Sequence, residues 1–565
     1  MRVCTAREMA AIDRATIAAG TPGLELMERA GEAMAELILE FLQEQAEGSD
    51  HEHVHGPGCG HVAGEREGDA APVTGVLVIC GKGNNGGDGL VVARLLAEAD
   101  CPVSVMLLAR PDELSPDAQA NFELLTDEVT VFVPEAGEWA AAFTELAGTA
   151  DLVVDGILGT GITPPLRGPY IDLIRNINDA GIPCIALDIP SGVSGDDGRI
   201  DPVAVAADMT ITVGLPKRGL LLAPGRDFAG DVEVIDIGFP PELCEAHTPE
   251  LHWLPRHEYL ALLPSRSSVS HKYQFGALLV VAGSAAYGGA ATLAGMGALR
   301  SGAGLVSLVV PRGLETAMRV SLPEVLTNAV PETGSGTIAP LDDAVFTALS
   351  AGVGALAVGP GLGGDPDTDA WVCDLMAACE RPVVLDADGL NAFARTGRTP
   401  RFGTDQVVLT PHAGEFARLV GLTPAEVEAR RFELVRRYAT EWNVVLMLKG
   451  APSLIATPDG RVHINASGDD ALARAGSGDV LTGLVGGLLA QGLTARDAAL
   501  LGAYLHGLAG TAAARGLSTR SVLVREVATA IGPVFEEMEK EASAVAELRE
   551  RIWPVQTATP ADGDA

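Results

Sequence analysis

Asp479 closes the run Ala475-Gly476-Ser477-Gly478 and precedes the apolar stretch 480–489. A glycine turn feeding a helix start leaves several backbone N–H groups without intrahelical acceptors, all pointing one way. With the positive end of the helix dipole they suit a phosphate. A carboxylate at the same place weakens phosphate binding unless it accepts a proton from a hydroxyl that attacks phosphorus, the general-base role in phosphoryl transfer. The bland alternative is that Asp479 only caps its helix. On this turn alone the two readings stand level.

A second set of polar residues lies in the first half. Gly81-Lys82-Gly83-Asn84-Asn85-Gly86-Gly87-Asp88-Gly89 follows a strand-like run and precedes a helix expected over 90–99. Read literally, Gly81-x-Gly83-x-x-Gly86 matches the dinucleotide fingerprint. Asp88, however, falls where a pyrophosphate would rest, and the next strand ends in Ala109-Arg110 without a ribose-binding acid. Amide oxygens and a carboxylate instead suit sugar hydroxyls or a hard monovalent cation. Asp155 ends another strand, and Asp188-Ile189-Pro190-Ser191-Gly192 follows the strand at 184–187. Each of these is an ordinary turn or cap residue when taken singly.

The elements that must position them read as strands alternating with helices. That pattern makes a parallel α/β sheet, and ligands bind beyond the strands' C-terminal ends. Asn85, Asp88, Asp155, Asp188 and Ser191 are expected to converge there. Residues 5–45 read as two helices broken at Gly20-Thr21-Pro22-Gly23. The tract 47–72, with His51, His53, His55, Cys59 and His61, reads as a disordered insertion rather than a metal site.

Residues 255–264 read as a linker. Strands follow at 277–282, 305–311, 355–358, 383–385, 407–409 and 444–448, and polar groups again sit at their ends. Asp386-Ala387-Asp388 ends one strand, Thr410-Pro411-His412 another, and Lys449-Gly450-Ala451-Pro452-Ser453 a third. His412 is expected at a site mouth. Lys449 is placed to meet a nucleotide phosphate or neighbouring backbone; its alternative is a solvent-facing strand-end lysine.

At 565 residues the chain exceeds one core, so two large domains are expected. The net charge of −36 argues against nucleic acid and anionic membranes as partners. No apolar run reaches spanning length. Eight cysteines without CxxC pairs suit reduced thiols and a cytoplasmic location. A homo-oligomer is expected.

Thr5-Ala6-x-x-Met9 with Asp13-Arg14, Asn84-Asn85-Gly86-Gly87-Asp88-Gly89, Asp188-Ile189-Pro190-Ser191-Gly192 and Pro216-Lys217-x-Gly219 resemble the NAD(P)H-hydrate epimerase domain, over residues 1–245. The resemblance implies a Rossmann-like three-layer fold that does no hydride transfer. It implies substrate contacts from Asn84, Asn85, Gly86, Gly87 and Asp88, and from Gly159, Thr160, Gly161, Ile162, Thr163, Pro164 and Pro165. It also implies K⁺ held by Asn85, Asp155 and Ser191, with Asp188 as the acid/base at C6 of the hydrated ring.

Thr410-Pro411-His412-x-Gly414-Glu415, Lys449-Gly450-Ala451 and Gly476-Ser477-Gly478-Asp479 together resemble the ADP/ATP-dependent NAD(P)H-hydrate dehydratases, which are ribokinase-like, over residues 255–550. That resemblance implies hydrate contacts at Ala290, Gly361, His412 and Asp479. It implies nucleotide contacts at Lys449, Gly450, Ala451, Pro452, Ser453 and Gly478, with ADP as co-substrate and Mg²⁺. One departure is Asp469-Asp470, where the family often has Asn-Pro. The expected activity is repair of NADHX and NADPHX. A small-molecule kinase of the hydroxyethylthiazole type, or a non-catalytic ligand-binding scaffold in the first half, is the alternative.

Overall fold

The computed structural model describes residues 1–46, 75–161, 165–266 and 269–552. The His-rich tract and Ile162, Thr163 and Pro164 lie outside the described residues. The chain forms two compact units, Met1–Trp253 and Leu254–Ala565.

The first unit opens with the helix Ala6–Ala18, started by a reciprocal cap. Thr5 Oγ1 accepts from the Glu8 N–H at 3.2 Å, and Glu8 Oε2 accepts from the Thr5 N–H at 2.7 Å. After the helix Gly23–Ala46 come β1 (Val76–Cys80), β2 (Val103–Leu107), β3 (Thr130–Phe132), β4 (Leu152–Gly156), β5 (Cys184–Leu187), β6 (Met209–Val213) and β7 (Asp231–Ile235). They form one sheet in the order β3-β2-β1-β4-β5-β6-β7, with every pairing parallel. Its apolar strands bury both faces. Val76, Val78 and Cys80 enter one core, while Leu77 and Ile79 enter another, as the two-residue pleat requires. A short strand, β8 (Leu251–Trp253), runs beside the N-terminus, where the Val3 N–H donates to Leu251 O at 2.9 Å.

The glycine run differs from expectation. The helix spans Asn84–Glu98, so Asn84–Gly89 forms its first turns and only Gly81–Gly83 precede it. Glycine is a poor helix former, but here close approach decides. A Cβ on Gly86 would lie 1.9 Å from Gly81 O, and one on Gly81 1.9 Å from Ile157 O.

The second unit contains β9 (Ala277–Val281), β10 (Leu305–Pro311), β11 (Leu326–Val330), β12 (Ala355–Val358), β13 (Val383–Leu385), β14 (Val407–Leu409), β15 (Val445–Leu448), β16 (Ser453–Ala456) and β17 (Val462–Asn465). Within this unit they lie in the order β11-β10-β9-β12-β13-β14-β15-β16-β17. Pairing is parallel as far as β15 and antiparallel beyond it. The helix Ser477–Ala490 packs against Gly288–Arg300 through small residues. A Cβ on Gly483 would meet Ala294 O at 1.9 Å, and one on Gly297 would meet Val480 O at 2.1 Å.

The segment expected as a linker is structured. It holds the helix Arg256–Leu260, whose buried Tyr259 stacks on Tyr504 with ring centroids 3.8 Å apart. Arg256 pairs with Glu537 at 2.8 Å and Glu541 at 2.7 Å. Burial of an aromatic ring holds these residues to the second core. Among the described residues no disulfide joins the cysteines, and no helix is long and apolar enough to cross a membrane.

Candidate active sites

In the first unit, adjacent parallel strands bring their loops to one edge. Asp155 ends β4 and is fully buried, because β4 sits between β1 and β5. It accepts from Ser191 Oγ at 2.6 Å, the Ser191 N–H at 2.8 Å and the Ile157 N–H at 3.1 Å. Burial pushes its carboxyl up to about 6, against the lowering effect of those hydrogen bonds. Ser191 Oγ also accepts from the Leu158 N–H at 2.9 Å. Asn85 donates from Nδ2 to Leu158 O at 3.1 Å, while its buried Oδ1 has no hydrogen-bond partner. Gly159 lies against the same side chain, since a Cβ there would be 3.2 Å from Asn85 Cβ. Asn85, Asp155 and Ser191 are therefore gathered as expected. An orphaned amide oxygen, one carboxylate and one hydroxyl form an oxygen set of low charge. That set fits a monovalent cation such as K⁺.

Asp188 follows β5 with φ 64°, a left-handed conformation uncommon for a side chain with a Cβ. Its N–H donates to Ile211 O at 2.7 Å. Lys217 Nζ donates to Asp188 Oδ1, to Val213 O at 2.8 Å and to Thr212 Oγ1 at 3.0 Å. Lys217 is only 1% exposed. A buried ammonium needs this many acceptors, and the lysine thereby anchors the carboxylate. Asp88, in the first turns of the helix Asn84–Glu98, is half-buried. Burial and then the Asp188 charge push its carboxyl well above the usual range, against the pull of Lys217. Asn84 is exposed and accepts from Ser115 Oγ at 3.0 Å. Gly86 and Gly87 are buried within the helix, Gly159 and Thr160 are half-buried, and Gly161 and Pro165 lie on the surface.

In the second unit the centre is Asp386, which ends β13 at 1% exposure. It accepts from Lys449 Nζ at 2.8 Å and from Thr482 Oγ1 at 2.7 Å. Lys449 also lies 4.0 Å from Glu415. Burial pulls the Lys449 ammonium down, but Asp386 and Glu415 outweigh it and the net direction is up. Glu415 is itself raised by burial, against the pull of Lys449. The solvent-facing reading of Lys449 is thus excluded: it turns inward beside the glycine turn, where a Cβ on Gly478 would be 3.1 Å from Nζ.

Gly476 caps the helix Ser477–Ala490 in a left-handed conformation, φ 96°. Asp479 lies in the first turn, and the N-cap position itself is taken by Gly476. Burial and then the Asp386 charge push its carboxyl up to about 7, against the lowering effect of Lys449. His412 is exposed and caps the helix Ala413–Val420, its Nδ1 accepting from the Gly414 N–H at 3.0 Å and the Glu415 N–H at 3.3 Å. Its backbone neighbours Lys449 through an isolated bridge. Ala290 and Gly361 meet: a Cβ on Gly361, where φ is 63°, would be 2.8 Å from Ala290 Cβ. Gly450, Ala451 and Pro452 form the turn from β15 to Ser453, the first residue of β16. Asp469 accepts from the Ala471 N–H at 2.9 Å, so the departure from Asn-Pro is used as a local cap.

The sequence reading passed over Asp386, Thr482, Glu415 and Lys217 as site residues. It also passed over His506, whose Nε2 lies 3.1 Å from Ser477 Oγ. Burial and the Lys449 charge lower His506 to about 4, leaving the ring neutral. Scarcity of lysine was the available signal, since each buried lysine needs a carboxylate nearby. For Mg²⁺, no group of three His, Cys, Asp or Glu side chains among the described residues forms a cage. The ion would depend on nucleotide oxygens, and no step is assigned to it.

Two family models match the chain: NAD(P)H-hydrate dehydratase over residues 278–533, and YjeF-related protein N-terminus over residues 23–219. A bifunctional NAD(P)H-hydrate repair enzyme of Moorella thermoacetica is 40% identical over 96% of this chain and 98% of its own. One from Salinibacter ruber is 38% identical over 90% of this chain and 91% of its own. Among solved structures, an ADP/ATP-dependent NAD(P)H-hydrate dehydratase from Bacillus subtilis, co-crystallised with ATP and Mg²⁺, is 32% identical. It covers 50% of this chain and 98% of its own, with a TM-score of 0.45. With two sheets each carrying an acid at the strand ends, and relatives that span both, the chain belongs to the bifunctional NAD(P)H-hydrate repair enzyme family.

Proposed function

We propose that the first unit interconverts the R and S forms of hydrated NADH and NADPH, and that the second dehydrates the S form with ADP as phosphoryl donor. The observation that carries this reading is Asp479, raised to about 7 and set in the first turn behind Gly476–Gly478 with Lys449 alongside. A carboxyl titrating near neutrality is ionised often enough to act as a base and is a strong enough base to take a hydroxyl proton.

Asp479 accepts the proton of the C6 hydroxyl, and the oxygen attacks the terminal phosphorus of ADP, releasing AMP. The Gly476–Gly478 amides and Lys449 stabilise charge on the phosphoryl oxygens. The C6–O bond then breaks, inorganic phosphate leaves, and a proton leaves C5 to water, so that the C5=C6 double bond of the nicotinamide returns. In the first unit Asp188, held by Lys217, takes the proton of the C6 hydroxyl and passes it to N1 as the C6–N1 bond opens to an aldehyde; reclosure on the other face of that carbonyl, with the proton returned to oxygen, inverts C6. Asn85, Asp155 and Ser191 would hold K⁺, whose charge would orient the hydrate.

The test mixes the purified chain with the R and S hydrates and either ADP or ATP, following absorbance of the reduced nicotinamide. Complete recovery with ADP supports the whole reading, and recovery of only the S fraction removes the epimerase half. A stable phosphorylated product with no recovery supports a kinase instead. Faster recovery with ATP than with ADP reverses the donor assignment.

A further inference from the structure

Arg418, in the helix Ala413–Val420, faces a cleft of about 420 Å³ lined also by Asn391, Ala394 and Arg395. The two arginines are held differently. Arg395 forks onto the buried Asp369 through two contacts of 2.7 Å, donates to Gly363 O at 2.9 Å and lies 3.6 Å from Asp388. Its charge is balanced, and its role is to shape the wall. Arg418 has no carboxylate partner among the described residues. Its Nε donates to Asn391 Oδ1 at 3.0 Å, and Asn391 is turned that way because its Nδ2 donates to Asp388 Oδ1 at 3.3 Å. The guanidinium is thus aimed by one neutral oxygen while its two terminal nitrogens stay open.

The cleft adjoins both hydrate contacts of the second unit. A Cβ on Gly414 would lie 2.9 Å from His412 Cε1 and 3.7 Å from a terminal nitrogen of Arg418, so the guanidinium is next to His412. On the other wall Arg395 holds Gly363, two residues after Gly361. Asp388, which orients Asn391, also acts electrostatically on Asp479. A planar guanidinium with free donors matches phosphate oxygens.

We propose that Arg418 seats a phosphate of the hydrated dinucleotide, its pyrophosphate or its 2′-phosphate, while the hydrated ring lies toward Asp479. This deepens the dehydratase reading and rests on it. Arg418 binds substrate and takes no part in proton or phosphoryl transfer.

The experiment compares the full chain with Arg418→Ala and Arg418→Lys, measuring kcat and KM for S-NADHX, S-NADPHX and ADP. The alanine variant is expected to raise KM for hydrate about tenfold, with kcat and the KM for ADP unchanged. The lysine variant should fall between, because it keeps the charge and loses the fork. A rise with both hydrates assigns the pyrophosphate; a rise with S-NADPHX alone assigns the 2′-phosphate. Unchanged hydrate KM, or a rise confined to ADP, overturns the inference. Titration of NADH and NADPH fluorescence by each protein supplies a readout independent of turnover. An inactive wild-type chain that binds NADPH through Arg418 would sink the function and keep this site. An active chain indifferent to Arg418 would do the reverse.

Discussion

Lys449 Nζ lies 2.8 Å from Asp386 Oδ1, although 63 residues separate them in the chain. The ends of β13 and β15 flank the end of β14, and the helix from Ser477 closes over them through Thr482. Asp479 therefore titrates in the field of a buried anion and cation that are themselves paired.

The pH dependence of dehydration follows. A general base must be deprotonated, and a carboxyl raised to about 7 is largely protonated below that pH. Activity should rise with pH through about 7 and level above it. Asp386→Asn removes the charge that raises Asp479 and leaves Lys449 free to lower it. The rising limb should move to lower pH, with a smaller kcat because the amide keeps only one of the two acceptor oxygens that serve Lys449 and Thr482. A limb that stays put in kcat/KM profiles would falsify the coupling.

Lys217→Met tests the first unit. The substitution leaves Asp188 as a partly buried carboxylate without its cation, a change that costs about 3 kcal/mol. The first unit should melt earlier and interconversion of R and S hydrate should be lost. Dehydration of pure S hydrate should persist. Calorimetry and the two separate assays check these points, and retained interconversion would refute the anchoring role.

Asn85 Oδ1 is buried without a hydrogen-bond partner, and a carbonyl oxygen of that kind suits a cation ligand. K⁺ should raise the wild-type thermal midpoint by mass action, and Na⁺ at equal ionic strength should raise it less. Asn85→Ala should abolish that difference. Equal responses of the two proteins to K⁺ would remove Asn85 from the ligand set.

Gly361→Ala probes the wall of the dehydratase site. The residue has φ 63°, and an added methyl would lie 2.7 Å from Tyr287 O and 2.8 Å from Ala290 Cβ. Strain of about 1–2 kcal/mol is expected, together with a higher KM for S hydrate and an unchanged KM for ADP. Denaturant unfolding and steady-state kinetics read the two effects separately.

By itself the sequence determined the parallel strands of the two sheets and the placing of polar residues at their ends, but not the antiparallel β16 and β17. Buried strands demand apolar runs, and the loops that follow them have little else to carry. It marked Asn85, Asp155, Asp188 and Ser191 for the same reason, and Asp479 from the glycine turn that opens its helix. It did not reveal that Asn84–Gly89 is helical, because glycine's low helix propensity hides a requirement for close packing against Gly81. Only the tertiary structure decided which groups pair. Lys217 with Asp188, Lys449 with Asp386 and Asn391 with Arg418 join residues 29, 63 and 27 positions apart. Strand order sets those pairings, and no local pattern encodes it. Burial then sets the protonation of each acid, because the cost of a charge depends on what the whole fold places around it.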